Sequence, residues 1–347
     1  MIMKDLLFIG SLNYPEIPQA GDSVKNQYLM DFFRKHFRSV DYIDTNKWGK
    51  KPYKLAQVIF SIVLKPYRNV VISVSNESAY KIISFISKLH SKKKFYYFMI
   101  GGYTPIKIKQ GIYKTEPFKK LEKIVVEADK VYDFYHEVGL DNTLRVYNFK
   151  PFSYKPDVSI PHTDAVKFVF LSRLTEMKGV FHIVECAKQL NQNGYGDKFV
   201  VDFYGRIEKE IEQQFMQEIE GVRNINYKGF LNLKEESNYT ILSEYDAMLF
   251  PTMHPTEGFP GVIADAAIAG VPVIAANWNY AEEIIGDGKC GYLFPVGDKV
   301  ALREKMLYAI EHRDALQAMR QQCVAQAQLY NMDNVLNEDL LLKLNMK

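Results

Sequence analysis

Apolar residues recur along this chain in two alternating rhythms. Short runs rich in Val, Ile, Phe and Tyr at residues 6–9, 70–74, 95–100 and 144–147 predict buried strands, and residues 130–132 read as a further short one. Residues 23–37 and 78–89 instead repeat their apolar positions every three or four residues, as a helix with one buried face does, and Asp22 is the predicted N-cap of the first. Pro151, Pro156 and Pro161 then interrupt the pattern; their fixed φ and missing N–H donors suit a linker. The alternation restarts with strands at 166–171, 199–204, 225–227, 247–250, 273–275 and 292–294. Helices are predicted at 179–193 and 208–219, after Gly261, and as one long helix over 302–328. Asn331-Met332-Asp333-Asn334 breaks that helix, and an amphipathic segment closes the chain.

Strands alternating with helices on both sides of a linker predict an α/β chain with two doubly wound parallel sheets. The 347 residues exceed one comfortable core, so two domains are expected. Their predicted extents are 1–152 with 331–347 for the first and 163–330 for the second, joined by a linker at 153–162. Such a pair of sheets would put a ligand in the cleft between them. The opening run is short, is interrupted by Asp5 and is followed by no small-residue cleavage site, unlike a signal peptide. No apolar stretch reaches the roughly 18 residues of a membrane span. Cys186, Cys290 and Cys323 are odd in number and far apart, which disfavours a disulfide framework. A cytoplasmic protein is the expectation.

The net charge of +3 hides an asymmetry. Residues 1–150 carry 25 Lys/Arg against 14 Asp/Glu, whereas the remainder carries 19 against 27. The first half is therefore expected to face something anionic. Its lysines, among them Lys92, Lys93 and Lys94 beside Phe95, Tyr96 and Tyr97, suit acidic lipid head groups or a diphosphate-bearing acceptor better than nucleic acid, for which no recognition module is visible. A solvated basic face is the plain alternative.

The densest chemistry lies in the second half. Glu257-Gly258-Phe259-Pro260-Gly261-Val262 reads as a glycine-hinged loop opening a short helix. Pro260 is pre-set for a helix start, and the first N–H groups of that helix suit a phosphate. Asp265 stands four residues beyond Gly261, about 6 Å along the axis, where it can lean back toward a ribose. An unpartnered acid in an apolar stripe would be costly, which favours a ligand role. Arg173 and Lys178 follow the strand at 166–171, at the end where open α/β sheets bind ligands, and would neutralise a diphosphate. No Asp-x-Asp pair occurs, so no metal and no cofactor is expected. Cations at a diphosphate with carboxylates at hydroxyls describe a sugar nucleotide.

Ser172-Arg173, Lys178-Gly179, Glu257-Gly258-Phe259-Pro260 with Asp265 eight residues after Glu257, and Ala269-Gly270-Val271-Pro272-Val273-Ile274 together resemble the family 4 retaining glycosyltransferases of GT-B fold, in which two Rossmann-like domains face each other across a cleft. The likeness covers most of residues 165–330. In the first half Gly10 and the Gly21-Asp22-Ser23 turn resemble the family's first strand-loop-helix, which borders the cleft, and Ile100-Gly101-Gly102-Tyr103-Thr104-Pro105 and Tyr147-Asn148-Phe149-Lys150 are similar to members from capsule and lipopolysaccharide gene clusters. The resemblance implies that Arg173 and Lys178 hold the diphosphate, that Gly258, Phe259, Pro260, Gly261 and Val262 hold the sugar and distal phosphate, and that Glu257 faces the sugar ring. It implies that Asp265 takes the ribose, although the family more often has Glu there. Gly21, Gly101, Gly102 and Tyr103 would border the acceptor side. Many relatives carry a His near Gly101 and Gly102, and His162, His182 and His254 do not replace it by spacing.

The implied activity is transfer of a sugar from a nucleotide-diphosphate donor, uridine-based by expectation, to a lipid-linked or saccharide acceptor in cell-surface polysaccharide biosynthesis, at the inner face of the membrane and without nucleic acid. A sugar-nucleotide epimerase of the same fold, or a non-catalytic sugar- or lipid-binding subunit of an assembly complex, are the competing readings. Gly286-Asp287-Gly288-Lys289-Cys290-Gly291 matches a dinucleotide fingerprint formally, but it follows a helix and precedes a strand and is predicted to be a turn.

Overall fold

The computed structural model describes residues 4–13, 21–46, 53–159 and 164–347. Pro161 and His162 lie outside the described residues. The chain divides into two compact units, Met1–Lys150 with Met332–Lys347, and Pro151–Asn331.

The first unit holds strands β1 (Lys4–Gly10), β2 (Val40–Asp44), β3 (Tyr67–Ser73), β4 (Lys94–Phe98), β5 (Lys123–Val126) and β6 (Thr143–Arg145). They form one sheet in the order β2-β1-β3-β4-β5-β6, parallel throughout. Helices α1 (Gly21–His36), α2 (Tyr53–Leu64), α3 (Asn76–Ile86), α4 (Tyr103–Lys109) and α5 (Asp129–Glu137) connect them. Leu6, Leu7, Phe8 and Ile9 are all buried, as a strand covered on both faces requires. The end of the chain returns to this unit: after α13 (Met332–Val335), α14 (Glu338–Lys343) brings Leu340 and Leu341 into the core of Phe8, Phe33 and Phe98.

The second unit carries β7 (Val166–Leu171), β8 (Phe199–Tyr204), β9 (Ile225–Gly229), β10 (Ala247–Phe250), β11 (Val273–Ala276) and β12 (Gly291–Phe294) in the order β12-β11-β10-β7-β8-β9, again all parallel. Helices α6 (Val180–Leu190), α7 (Lys209–Ile219), α8 (Tyr239–Ser243), α9 (Gly261–Ile268), α10 (Ala281–Ile284), α11 (Lys299–Glu311) and α12 (Arg313–Ala327) complete it. Strand order reverses at β7, whose two neighbours are β8 and β10. The formal dinucleotide fingerprint falls between α10 and β12, in a turn that closes with the Gly288 N–H on the Gly291 carbonyl at 2.8 Å.

Three local expectations are corrected. Residues 130–132 belong to α5, not to a strand. Val131, Phe134 and Tyr135 are its buried face at helical spacing, and the strand is the preceding Lys123–Val126. The predicted helix over 302–328 is two helices. It starts earlier, at Lys299, with the Asp298 side chain accepting from the Ala301 N–H at 2.9 Å, and it breaks at His312, whose backbone (φ −126°, ψ 52°) is non-helical. No Gly or Pro announces that break. Asp22 lies inside α1, which begins at Gly21, and its carboxylate accepts from the adjacent Ser23 N–H, so it is not the N-cap. β2, α2 and α4 escaped the sequence reading altogether.

A buried ion pair ties the second unit's sheet to its last long helix. Arg313 donates to both oxygens of Asp246, at 2.8 and 2.7 Å, and Asp246 also accepts from the Lys167 N–H at 2.8 Å. Their side chains are 16% and 7% exposed. Replacing Arg313 by Met leaves that carboxylate buried without its counter-charge and should cost about 3 kcal/mol. Urea unfolding checks this; a loss below about 1 kcal/mol, the range of an exposed pair, would contradict it.

Candidate functional site

The reversal of strand order in the second unit brings two loops together at the carboxyl ends of β7 and β10, the position where open α/β sheets bind ligands. The first loop, from Ser172 to Lys178, turns through a short 3-10 segment, Glu176–Lys178, whose cap is Thr175. The Thr175 hydroxyl accepts the Lys178 N–H at 3.2 Å. Gly179 then adopts φ +74°, and a Cβ there would meet the Pro251 carbonyl oxygen at 2.3 Å. Only glycine lets the start of α6 lie against the exit of β10 so closely. The Met253 N–H donates to the Met177 carbonyl at 2.8 Å and fastens the second loop to the first.

That backbone arrangement delivers one side-chain cluster. The Lys178 ammonium donates to Glu257 Oε2, and the Thr252 hydroxyl donates to the same oxygen at 3.0 Å. Lys178 and Glu257 side chains are each 13% exposed, and the ammonium stands 5.1 Å from the centre of the Phe250 ring. The loop after Glu257 is held from below: Trp278 Nε1 donates to the Gly258 carbonyl at 3.1 Å, and Phe259 packs edge-on against Tyr330 at 4.9 Å. Pro260 is extended (φ −67°, ψ 125°), and α9 starts at Gly261 with no side-chain cap on its first amides. Val262 follows in the first turn, partly exposed. Lys178 has donor capacity beyond its carboxylate, and the uncapped helix start four residues after Glu257 adds amides and partial positive charge, so each can hold an anion.

Two expectations need correction here. Asp265 is 3% exposed, but it is not an unpartnered acid: the Tyr239 hydroxyl donates to its Oδ1 at 2.6 Å, and Tyr154 stacks on that Tyr239 ring at 5.6 Å. The cost of burial is met within the protein, so burial alone is no argument for a ligand. Arg173 and Lys178 also do not point to one place. The Arg173 side chain is 69% exposed and faces Glu208 at 3.6 Å, whereas Lys178 is buried on Glu257. Thr252, Tyr239 and Trp278 were missed. Thr252 and Trp278 each stand two residues past the end of a strand (β10 and β11), which was the available signal.

In the first unit Gly101 (φ +68°) and Gly102 link β4 to α4, with Gly102 as N-cap. Tyr103 opens that helix, 37% exposed, with the Lys107 ammonium 4.7 Å from its ring centre. Gly21 is exposed and a Cβ there would meet nothing within 4 Å, so no close approach requires glycine. Gly10 differs: a Cβ would meet the Ser73 carbonyl oxygen at 2.9 Å. Around it lies a buried polar set that the sequence did not announce. Asn26 donates to the Ser11 and Ser73 carbonyls, Ser73 donates to Asn26, and Lys25 pairs with Glu127.

The His182 and His254 side chains lie outside these clusters, but the His254 backbone joins its loop to them: its N–H donates to the Thr252 hydroxyl oxygen at 3.3 Å and its carbonyl accepts from the Glu257 N–H at 3.2 Å. His254 is exposed and bonds to Thr256 of its own loop. Burial, and then Lys299, hold the pKa of His182 below its ordinary value, as for a packing histidine. Among the described residues no group of His, Cys, Asp and Glu is placed to hold a metal ion.

The family model for glycosyl transferases group 1 matches residues 155–329. Among curated proteins the chain is similar to the amylovoran biosynthesis glycosyltransferase AmsK of Erwinia amylovora, 27% identical over 147 residues, 41% of this chain and 35% of that protein. It is also similar to an uncharacterised 41.2 kDa protein of the Klebsiella pneumoniae cps region, 25% identical over 228 residues, 63% of this chain and 58% of that protein. The matched stretch thus spans about a third to three fifths of these relatives. The structure of Anabaena HepE in complex with UDP superposes with a TM-score of 0.73 at 16% identity, covering 99% of this chain and 100% of that one. The fold is GT-B.

The Lys178–Glu257 pair should couple energetically. In a double-mutant cycle with Lys178→Met and Glu257→Gln, chemical denaturation is expected to give an interaction energy of about 2 kcal/mol. Additive single effects would contradict a fixed pair.

Proposed function

Since the chain belongs to the glycosyl transferases group 1, we propose that it is a metal-independent, retaining sugar transferase whose second unit binds a nucleotide-diphosphate sugar, UDP-linked, at the loops after β7 and β10. The observation that carries this reading is the meeting of Lys178 and Glu257 at the reversal of strand order, with Glu257 four residues ahead of the uncapped start of α9. One ammonium and the first amides of one helix suit a diphosphate, and a carboxylate on the same ammonium suits the hydroxyls of the sugar. Arg173, exposed on a loop of the same edge, is the second cation in this reading and would close on the diphosphate when donor binds. Gly258, Phe259, Pro260, Gly261 and Val262 supply backbone to the sugar and distal phosphate. Asp265, held by the Tyr239 hydroxyl, supplies a carboxylate to the ribose.

In the proposed step the bond from the anomeric carbon to the diphosphate breaks while the acceptor oxygen bonds on the same face. The leaving phosphate, its charge held by Lys178, Arg173 and the α9 amides, takes the acceptor's proton. The acceptor is a lipid-linked or saccharide hydroxyl. The amylovoran role printed for AmsK and the cps location of the Klebsiella protein support a place in cell-surface polysaccharide assembly. The UDP bound to HepE supports the choice of nucleotide. No described helix is long and apolar enough to cross a membrane; action at the inner membrane face is part of the proposal.

A panel of nucleotide sugars read by thermal shift should single out UDP-linked donors, since a ligand raises the melting temperature by mass action. With the donor so found, Lys178→Ala and Arg173→Ala should each lower kcat/KM by about 10²–10³-fold, and a chelator should leave the rate unchanged. Donor isomerised in the absence of acceptor would replace transfer with epimerisation. Donor bound without turnover across a wide acceptor panel would replace it with a binding subunit.

A further inference from the structure

Helix α2 turns the wrong face outward. It buries only Val58, Ser61 and Ile62, while Tyr53, Leu55, Phe60 and Leu64 are 62%, 49%, 53% and 60% exposed, and Ile59 and Val63 are exposed beside them. At about 100° per residue these six positions, with Ala56, sweep roughly half the helical wheel, opposite the buried stripe, and Gln57 is the only polar residue at their margin. A surface helix ordinarily presents charges there. A contiguous apolar face of this kind marks an interaction surface.

Charge identifies the occupant. Residues 51–100 carry nine Lys/Arg and a single acid, Glu77, which is paired with Lys81 on α3. Lys93 reaches the Ile62 and Val63 carbonyls at the carboxyl end of α2, Lys65 and Arg68 follow that helix in the chain, and Lys92 adjoins Lys93. Along the flank of α2 lies an open cavity of about 360 Å³ lined by Gln57, Ser61, Arg34, Lys65, Asp41 and Tyr67. Asp41 there accepts from Lys4 and Tyr67, and Lys65, which follows the carboxyl end of α2, lies on the same wall. A second copy of the chain fits this surface poorly: a two-fold interface sets the same patch against itself, and one basic rim would meet another. An apolar stripe edged by cations matches the boundary of an anionic bilayer, where acyl chains take the stripe and phosphates take the rim.

We propose that α2 is an interfacial membrane helix, with Leu55, Ile59, Phe60, Val63 and Leu64 entering an anionic bilayer and Lys65, Arg68, Lys92 and Lys93 meeting lipid phosphates. The inference is independent of the donor reading, since it uses no residue of the second unit.

The test is co-sedimentation of the full chain with vesicles of phosphatidylglycerol and phosphatidylcholine, and of phosphatidylcholine alone. Binding to the mixed vesicles is expected, weakened at least about tenfold for phosphatidylcholine alone, by added salt, and by Phe60→Glu with Leu64→Glu. Both positions are exposed, so the melting temperature and the response to nucleotide sugar should stay as in the wild type. If the double variant fails to fold, Lys65→Gln with Arg68→Gln and Lys92→Gln tests the same surface through its charge and should also lose at least about tenfold. Equal sedimentation of wild type and variants, or a wild-type dimer that Phe60→Glu with Leu64→Glu dissociates without any vesicle binding, would overturn the proposal.

Discussion

The second unit is organised around one nearly buried ion pair. Lys178 comes from the loop after β7 and Glu257 from the loop after β10, and their contact fixes both loops at the point where strand order reverses. Such a pair is poor value for stability, because two charges lose their water to gain one another. Its surroundings reduce that loss: Thr252 gives Glu257 a second donor, and Phe250 lends its ring to the ammonium. Gly179 permits the whole arrangement, since any side chain at that residue would meet the Pro251 backbone. Four residues after Glu257, α9 starts with no side-chain cap on its first amides.

The same physics explains what could be read from the chain and what could not. β7, β8 and β10 are legible residue by residue because strands buried on both faces leave near-continuous apolar runs, interrupted here only by Lys167 in β7 and Asp202 in β8. The start of α9 was legible from Pro260 and Gly261. The break at His312 was not, because no Gly or Pro marks it and the apolar spacing runs on through it. β5 was misplaced onto α5 because Lys123 dilutes a four-residue strand while Val131 and Tyr132 imitate one. α2 was passed over for a related reason: a helix apolar on nearly every side has no clear period.

For the candidate site, sequence position identified the loops but not the partners. Glu257 and Lys178 are 79 residues apart, and nothing local says that they touch. The neighbours of Asp265 in the chain are all apolar, whereas its hydrogen bond comes from Tyr239, 26 residues upstream. Arg173 and Lys178 both follow β7, yet their side chains go to different carboxylates, Glu208 and Glu257, across the loop that carries the 3-10 turn. Long-range pairing of polar groups is the information that a single sequence carries least.

In the proposed function the Lys178 cluster and the start of α9 receive a diphosphate. The most direct measurement is a crystal structure of the chain grown with UDP. The account predicts phosphate oxygens within hydrogen-bond distance of Lys178 Nζ and of the Gly261 or Val262 amides. UDP bound elsewhere on the chain, with the Lys178–Glu257 contact unchanged and no phosphate beside it, would contradict it.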